Sequence, residues 1–359
     1  MTPISSEPVR ILVMAGGTGG HVFPALAVAD ELRARGVEVS WLGTRRGLEA
    51  EVVPKAGYPI DYISIAGLRG KGLWSWLAAP FKLLQALRQA LGVMRLRRPA
   101  AVLGMGGFVT GPGGLAAWLS RRPLLIHEQN ARAGLTNKLL APLAARVMEA
   151  FPGTFAAKYR ALHTGNPLRR DFLQGEAKAD HAGPLRLLVV GGSLGAARFN
   201  EVVPQALAAL ALAARPEVWH QAGKRNLEAA RAAYAAAGVE ARVEAFIDDM
   251  AAAYQWSDLV LCRAGAMTVA ELAAAGVAAI LVPYPYAVDD HQTANAHYLA
   301  DRDAALLLPQ PQLSVEGLVS LLKDLTPTRL RAMGEAARRL ALPAATARVA
   351  EACLEVAHG

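Results

Sequence analysis

The apolar positions of the chain fall into two alternating patterns. Short hydrophobic runs rich in Val, Leu and Ile are separated by longer stretches in which apolar residues recur every three or four positions. The short runs predict strands over 10–14, 38–42, 60–65, 101–103, 124–127 and 146–148, and the periodic stretches predict helices between them, for example over 24–35 and 77–97. Strands spaced by helices form right-handed βαβ units and a parallel sheet.

The segment His163-Thr164-Gly165-Asn166-Pro167-Leu168-Arg169 interrupts this rhythm. Polar residues and a loop around 180–184 follow, and then the opening layout recurs. Strand 10–14 runs into Gly16-Gly17-Thr18-Gly19-Gly20. Strand 185–190 runs into Gly191-Gly192-Ser193-Leu194-Gly195 and a helix through 202–212. Further strands are expected at 217–220, 242–245, 259–262, 279–282 and 305–308, and the end, 326–358, is Ala/Arg/Leu-rich and helical. A strand, a loop without side chains and a helix start present backbone N–H groups to an anion. Two such half-units, a domain's length apart, imply an α/β protein of two Rossmann-like parallel-sheet domains facing across a cleft. The expected division is 1–164, 165–335 and a terminal helical segment, 336–359, that packs back toward the first domain.

Composition narrows the class. The chain has 359 residues, 53% hydrophobic and 19% charged, enough for two packed cores. The opening MTPISSEPVR lacks the basic-then-apolar layout of a signal peptide, and no run approaches the roughly 20 apolar residues of a spanning helix. Cys262 and Cys353 fit neither a disulfide framework nor a zinc pattern, so the expectation is a reduced, cytoplasmic protein. Residues 1–164 hold 20 Lys and Arg against 9 Asp and Glu, a net +11; the rest nets −3, for +8 overall. A basic first half suits an anionic partner such as a membrane surface, a pyrophosphate or nucleic acid, or reflects a surface rich in Arg.

Several clusters carry candidate chemistry. MAGGTGGH lacks G-x-G-x-x-G spacing, and after the second strand Arg45 and Arg46 stand where an acidic ribose ligand belongs; an NAD site is disfavoured and an NADP site stays open. GLRGKG is not a P-loop. Gly104-Met105-Gly106-Gly107 and Gly111-Pro112-Gly113-Gly114 add glycine loops to the same half. His21, at the mouth of the first loop, is placed to act as a general base if a substrate hydroxyl reaches it. In the second half, small residues after strand 259–262 lead into a helix start with Glu271 one turn in. A carboxylate there either accepts ribose hydroxyls or offsets the helix dipole. Pro283-Tyr284-Pro285-Tyr286 leads to a polar cluster, Asp289 to Asn295. Asp301-Arg302-Asp303 reads as a solvated helix end, and no cluster has metal-ligand spacing. From Lys71 to Arg88, Trp74, Leu77, Phe81 and Leu84 recur at helical spacing beside Lys71, Lys82 and Arg88, which suits either a core-packed helix or a membrane interface.

Together these strings resemble the MurG-type N-acetylglucosaminyltransferases: GGTGGHVFPALAVA, GLRGKG, GMGGFVTGPGGLAAW, HEQNARAGLTNK, GNPLR, VVGGSLGA, FIDDMAAAY, CRAGAMTVAE and DDHQTANA, in order from Gly16 to Asn295. The resemblance implies a GT-B fold. It implies inverting transfer of N-acetylglucosamine from UDP-N-acetylglucosamine (UDP-GlcNAc) to O4 of the muramoyl sugar of lipid I, the undecaprenyl-pyrophosphoryl-MurNAc-pentapeptide, giving lipid II and UDP. It further implies His21 as the catalytic residue and donor contacts at Thr18, Gly19, Gly20, Asn130, Arg169, Ser193 and Ile247. Ala266, Met267, Thr268, Val269, Ala270 and Glu271 would hold the uridine ribose and diphosphate, and Gln292 the sugar. Leu194 stands where family members often carry Gln, and Ala264 and Met267 replace their common Ser and Leu. The implied location is peripheral, on the cytoplasmic face of the inner membrane, with Trp74, Leu77, Phe81, Lys82 and Trp118 as the associating patch. Expected partners are the lipid acceptor and cell-wall synthesis proteins, with no nucleic acid, no tightly bound cofactor and no evident need for a divalent metal. Two other readings keep the fold: a UDP-sugar 2-epimerase or NADP oxidoreductase, and a non-catalytic nucleotide-sugar-binding membrane protein. On the residues alone, the loop at Gly191–Gly195 and the helix start at Ala266 are the better seats for the diphosphate, leaving the opening loop mainly for the acceptor and its reacting hydroxyl.

Overall fold

The computed structural model describes residues 8–65, 79–172, 181, 183–192 and 195–358. They form two compact units, one of residues 1–169 with 342–359 and one of 170–341.

The first unit runs β1 (Arg10–Met14), α1 (Gly19–Ala34), β2 (Glu38–Gly43), α2 (Glu49–Lys55), β3 (Ile60–Tyr62), α3 (Ala79–Arg97), β4 (Ala101–Gly104), α4 (Thr110–Leu119), β5 (Leu124–Glu128), α5 (Leu135–Leu140), β6 (Arg146–Glu149) and β7 (Leu162–His163). Its seven strands are all parallel, in the order β3-β2-β1-β4-β5-β6-β7. Both faces of this sheet are covered, which is why β1 reads as an unbroken apolar run. Ile11 and Val13 pack on one side with Val22, Val28 and Leu32, while Leu12 and Met14 pack on the other with Ala86, Ala90 and Met94.

The second unit repeats the plan. It comprises β8 (Arg186–Val190), α6 (Ala197–Ala208), β9 (Glu217–Gln221), α7 (Leu227–Ala236), β10 (Arg242–Glu244), α8 (Met250–Trp256), β11 (Leu259–Cys262), α9 (Ala266–Ala275), β12 (Ala278–Leu281), α10 (His291–Ala300), β13 (Ala305–Leu307), α11 (Val315–Asp324) and α12 (Pro327–Arg339). Its parallel sheet has the order β10-β9-β8-β11-β12-β13. At Leu342 the chain returns to the first unit. There α13 (Ala345–His358) buries Val349, Ala350 and Cys353 in the same core as α1. Thr346 ties this helix to the end of the first pass, because its Oγ1 accepts from Leu168 N–H (3.1 Å) and donates to Leu168 O (3.0 Å).

Three expectations shift. Proline favours a first helical turn, which suggested a start at Pro24, but α1 begins five residues earlier, at Gly19. Thr18 is extended (φ −113°, ψ 160°), and its carbonyl accepts from His21 N–H (3.1 Å) and Val22 N–H (3.2 Å). His21 therefore sits in the first turn of α1 rather than in the loop. The helix expected over 202–212 spans Ala197–Ala208, because burial of Phe199 draws its start forward. The two-residue strand β7 is too short to leave a pattern in the sequence.

Candidate active site

In an open parallel sheet, ligands bind beyond the carboxyl ends of the strands where the order reverses. Here those points lie between β1 and β4 in the first unit and between β8 and β11 in the second. The glycine loops after all four strands thus fall where ligand chemistry is expected.

In the first unit the two loops meet backbone to backbone. A Cβ on Gly107 (φ +86°) would collide with the Gly16 carbonyl oxygen, so only glycine lets the segment after β4 lie on the segment after β1. A Cβ on Gly106 (φ +103°) would stand 2.5 Å from His21 Cδ2 and 2.8 Å from Nε2. The imidazole of His21 therefore rests over Gly106, between both loops. Thr18 and Gly20 are exposed beside it, and the start of α1 carries neither a side-chain cap nor an acidic residue in its first turn.

Asn130 lies on the loop after β5, the strand beside β4, and a buried carboxylate fixes it. Glu128 Oε1 accepts from Asn130 N–H (3.1 Å) and Nδ2 (3.2 Å), while Oε2 accepts from Gly134 N–H (3.0 Å) and Asn137 Nδ2 (2.9 Å). Beneath it, Gln129 Nε2 donates to Nδ1 of buried His127 (3.0 Å), which leaves Nε2–H to donate to Gly165 O (3.0 Å). Burial pushes the His127 pKa down to about 4, so the ring is neutral. Asn166 Nδ2 closes the group on Gln129 O (3.0 Å). Arg169 is exposed at the point where the chain leaves the first unit.

In the second unit, Ser193 and Leu194 lie outside the described residues. Around them, Gln221 at the end of β9 is a bridge that the sequence pattern did not reveal. Its Nε2 donates to Gly192 O (2.9 Å) and its Oε1 accepts from Ile247 N–H (3.0 Å), joining the glycine loop to the FIDD segment. Ile247 and Val269 are fully buried among core residues, so only their backbone can reach a ligand. α9 starts at Ala266, capped by extended Gly265 with no side-chain bond and no acidic residue in the first turn. Glu271 thus lies in the second turn, and the helix-dipole reading of that residue is withdrawn. Its Oε2 accepts from the hydroxyl of buried Tyr254 (3.2 Å), whose pKa is raised by burial and by the Glu271 charge. Arg263 pins the loop before α9, donating to Val282 O (3.2 Å), Pro283 O (3.3 Å) and Gln310 Oε1 (2.6 Å) while stacked 4.7 Å from the Phe199 ring centre. Gln292, second in α10, accepts from Tyr284 N–H (2.8 Å) through Oε1, which leaves its Nε2 to a ligand. Asn295 holds the same region by donating to Ala264 O (3.1 Å).

The remaining candidates separate from these groups. Asp301 ends α10 and accepts from His297 Nδ1 (2.9 Å), a surface pair. Cys262 and Cys353 are buried thiols whose pKa burial raises, which suits packing rather than nucleophilic attack. Trp74 and Leu77 lie outside the described residues. Phe81 is 78% exposed, with Lys82 also exposed, because α3 buries Ala79, Ala86, Ala90 and Met94 instead, and Trp118, near the end of α4, is 50% exposed.

Residues 11–149 match the glycosyltransferase family 28 N-terminal domain, and residues 186–351 match the family 28 C-terminal domain. The chain is 63% identical over 357 residues to the UDP-N-acetylglucosamine–N-acetylmuramyl-(pentapeptide) pyrophosphoryl-undecaprenol N-acetylglucosamine transferase of Nitrosococcus oceani, covering 98% of this chain and 99% of that one. A crystal structure of Acinetobacter baumannii MurG superposes with a TM-score of 0.85 at 44% identity, covering 97% of this chain and 100% of that one. A UDP-GlcNAc 2-epimerase from Neisseria meningitidis, solved bound to UDP-GlcNAc, superposes at 0.67 with 13% identity over 97% of this chain and 100% of that one, a likeness of fold alone.

Proposed function

Because the chain belongs to the MurG-type N-acetylglucosaminyltransferases of glycosyltransferase family 28, we propose a division of the reaction between its two glycine-loop sites. The protein is a glycosyltransferase of GT-B fold that moves N-acetylglucosamine from UDP-GlcNAc to lipid I, forming lipid II in peptidoglycan synthesis. The second unit holds the nucleotide: the amides at the start of α9 and of the Gly191–Gly195 loop take the diphosphate, Glu271 the ribose hydroxyls and Gln292 the sugar. The first unit presents the acceptor along its glycine loops.

The observation that carries this division is where buried carboxylates lie. Among the described residues, the acidic side chains in the buried class are Glu49, Glu128 and Glu149, all in the first unit; the second unit buries none. At the opening loop the nucleotide's diphosphate would find Gly17 N–H already bonded to buried Glu49, whereas the first turn of α9 has neither a side-chain cap nor an acidic residue.

Chemically, the acceptor O4 attacks the anomeric carbon while His21 takes its proton. The bond from that carbon to the β-phosphate oxygen breaks, and the electron pair leaves on UDP. Attack opposite the leaving group inverts the centre and gives the β-1,4 linkage. The α9 N-terminus stabilises the charge that develops on the diphosphate.

The membrane face is the exposed side of α3 with the end of α4. Phe81, Leu83, Leu84, Trp118 and Leu119 stand out there beside Lys82, Arg88 and Arg95. Aromatic and basic residues together suit an anionic lipid interface. Among the described residues no helix is long and apolar enough to cross a membrane. The deciding experiment supplies purified protein with UDP-GlcNAc and a lipid I analogue. Disaccharide product is expected, and its absence refutes the assignment. His21→Ala is expected to cut kcat far more than donor affinity.

A further inference from the structure

Glu49 is the first residue of α2, 0% exposed, and the reaction described above gives it no role. Its carboxylate reaches back to the loop that carries His21. Oε2 accepts from Gly17 N–H (2.9 Å), and Oε1 accepts from Thr44 N–H (2.9 Å) and the Thr44 hydroxyl (2.8 Å). Three glycines from three segments leave the space it fills. A Cβ on Gly16 would lie 2.6 Å from Oε1 and one on Gly43 2.7 Å from Cγ, and one on Gly47 would overlap Oε2. Among the described residues no Lys, Arg or His pairs with it. A fully buried carboxylate costs several kcal/mol to desolvate, and only its short hydrogen bonds to neutral donors offset that here. The sequence thus spends three glycines and three donors on one acidic group.

The place it occupies explains the cost. The first amides after β1 are where a Rossmann loop receives a ligand's phosphate. Here Gly17 N–H is already committed to a side chain. Gly16, held under the same carboxylate, carries on its other side the backbone of Gly107, next to the Gly106 that seats the His21 ring. The contacts run in one line: Glu49, Gly16–Gly17, Gly107–Gly106, His21.

We propose that Glu49 is a positioning residue for the transfer: an internal carboxylate that takes up the Gly17 amide of the opening loop and fixes the platform on which His21 meets the acceptor hydroxyl. The proposal rests on the reading of His21 as the base. Misplacing a reacting group by about 1 Å can cost roughly a hundredfold in rate, so Glu49→Ala is expected to lower kcat by about that factor. The KM and the dissociation constant for UDP-GlcNAc are expected to stay within threefold. Glu49→Gln keeps the shape, but either orientation of its amide sets an N–H against Gly17 N–H or Thr44 N–H; kcat is expected to fall about tenfold.

The test measures kcat, KM and donor binding for the full-length wild type, Glu49→Ala, Glu49→Gln and His21→Ala, with and without added formate. Formate fits the volume that truncation to Ala vacates and carries the same acceptor oxygens. Saturable recovery of kcat by formate in Glu49→Ala, and none in the double variant with His21→Ala, supports the proposal. Wild-type kcat in folded Glu49→Ala or Glu49→Gln overturns it, as does equal loss of donor binding and kcat. If Glu49→Ala does not fold, Glu49→Gln decides. Near-normal turnover by His21→Ala alone refutes the base assignment, a result separate from the Glu49 outcome.

Discussion

Gly106→Ala tests the seat of His21 most directly. The new Cβ would stand 2.5 Å from His21 Cδ2, where ordinary carbon contacts begin at about 3.4 Å or beyond. The ring or the loop must therefore move by about 1 Å. The backbone adds its own cost, because φ at this residue is +103° and an L side chain there is unfavourable by roughly 1–2 kcal/mol. For a unit of this size that energy lowers Tm by about 2–8 °C. Displacing the base by the same 1 Å lowers kcat by roughly a hundredfold. Donor affinity is expected to hold, since the diphosphate seat belongs to the other unit. Gly36→Ala is the control: its φ is +80°, with no atom within 4 Å of the new Cβ, so it carries a similar backbone cost without the overlap. The assay is steady-state lipid II formation at saturating UDP-GlcNAc, with donor titration calorimetry and thermal melts for both variants. Comparable kcat for Gly106→Ala and Gly36→Ala, at comparable Tm, would refute the reasoning.

Gln221→Ala removes both bonds that join Gly192 to Ile247, each worth about 1 kcal/mol. KM for UDP-GlcNAc is expected to rise about tenfold with kcat at saturation within threefold, and an unchanged KM would remove Gln221 from the donor site. Acid is expected to destabilise both units through His127 and His220, whose pKa values burial pushes down to about 4 and about 3. Unfolded, each imidazole takes up a proton near pH 6.5 that the folded ring refuses. Stability is therefore full above pH 6.5, falls as pH drops from there to about 4, and levels off below, a loss of roughly 3 kcal/mol for His127. Denaturant melts of His220→Phe should show a shallower acid loss than wild type, and an identical slope would contradict this. Phe81→Ala/Trp118→Ala is expected to weaken flotation with anionic vesicles severalfold and leave turnover of a soluble acceptor intact; equal flotation would move the membrane face elsewhere.

Hydrophobic rhythm made most of the fold legible, because a parallel sheet buried on both faces writes its strands as unbroken apolar runs. The glycine pairs marked both switch points for the same reason: a strand that ends in a ligand loop leaves no room for side chains. What the pattern could not carry was the cause of each glycine. Gly16 makes space for Glu49, Gly107 for a backbone crossing, and Gly195 (φ +75°) for the Ala222 carbonyl, yet all three look alike in sequence. Glu49, Glu128 and Gln221 stayed hidden because each bonds in part to backbone groups, Gly17 N–H, Asn130 N–H and Ile247 N–H among them, which leave no residue-type signature. The start of α1 lies ahead of the expected one because the helix opens on Gly19-Gly20, which read as loop residues, while Pro24 inside it reads as a first-turn residue.

Net charge by halves pointed the anionic ligand to the first half, at +11 against −3. The structure shows why that sum is a poor guide to a diphosphate. Net charge is carried by solvated side chains and acts over the whole surface, screened beyond about 10 Å. A bound diphosphate responds to what lies within hydrogen-bond reach. At the opening loop Gly17 N–H is bonded to Glu49, while the first turn of α9 has neither a side-chain cap nor an acidic residue. The two fields serve different ligands. On the proposed assignment, a long-range positive surface suits a membrane whose headgroups are anionic and many, and a short-range array of amides suits one diphosphate. The glycine loop is used twice in this chain, and on the proposal made for Glu49 the acidic residue beneath the first copy serves the placement of His21, a task the second copy has no counterpart for.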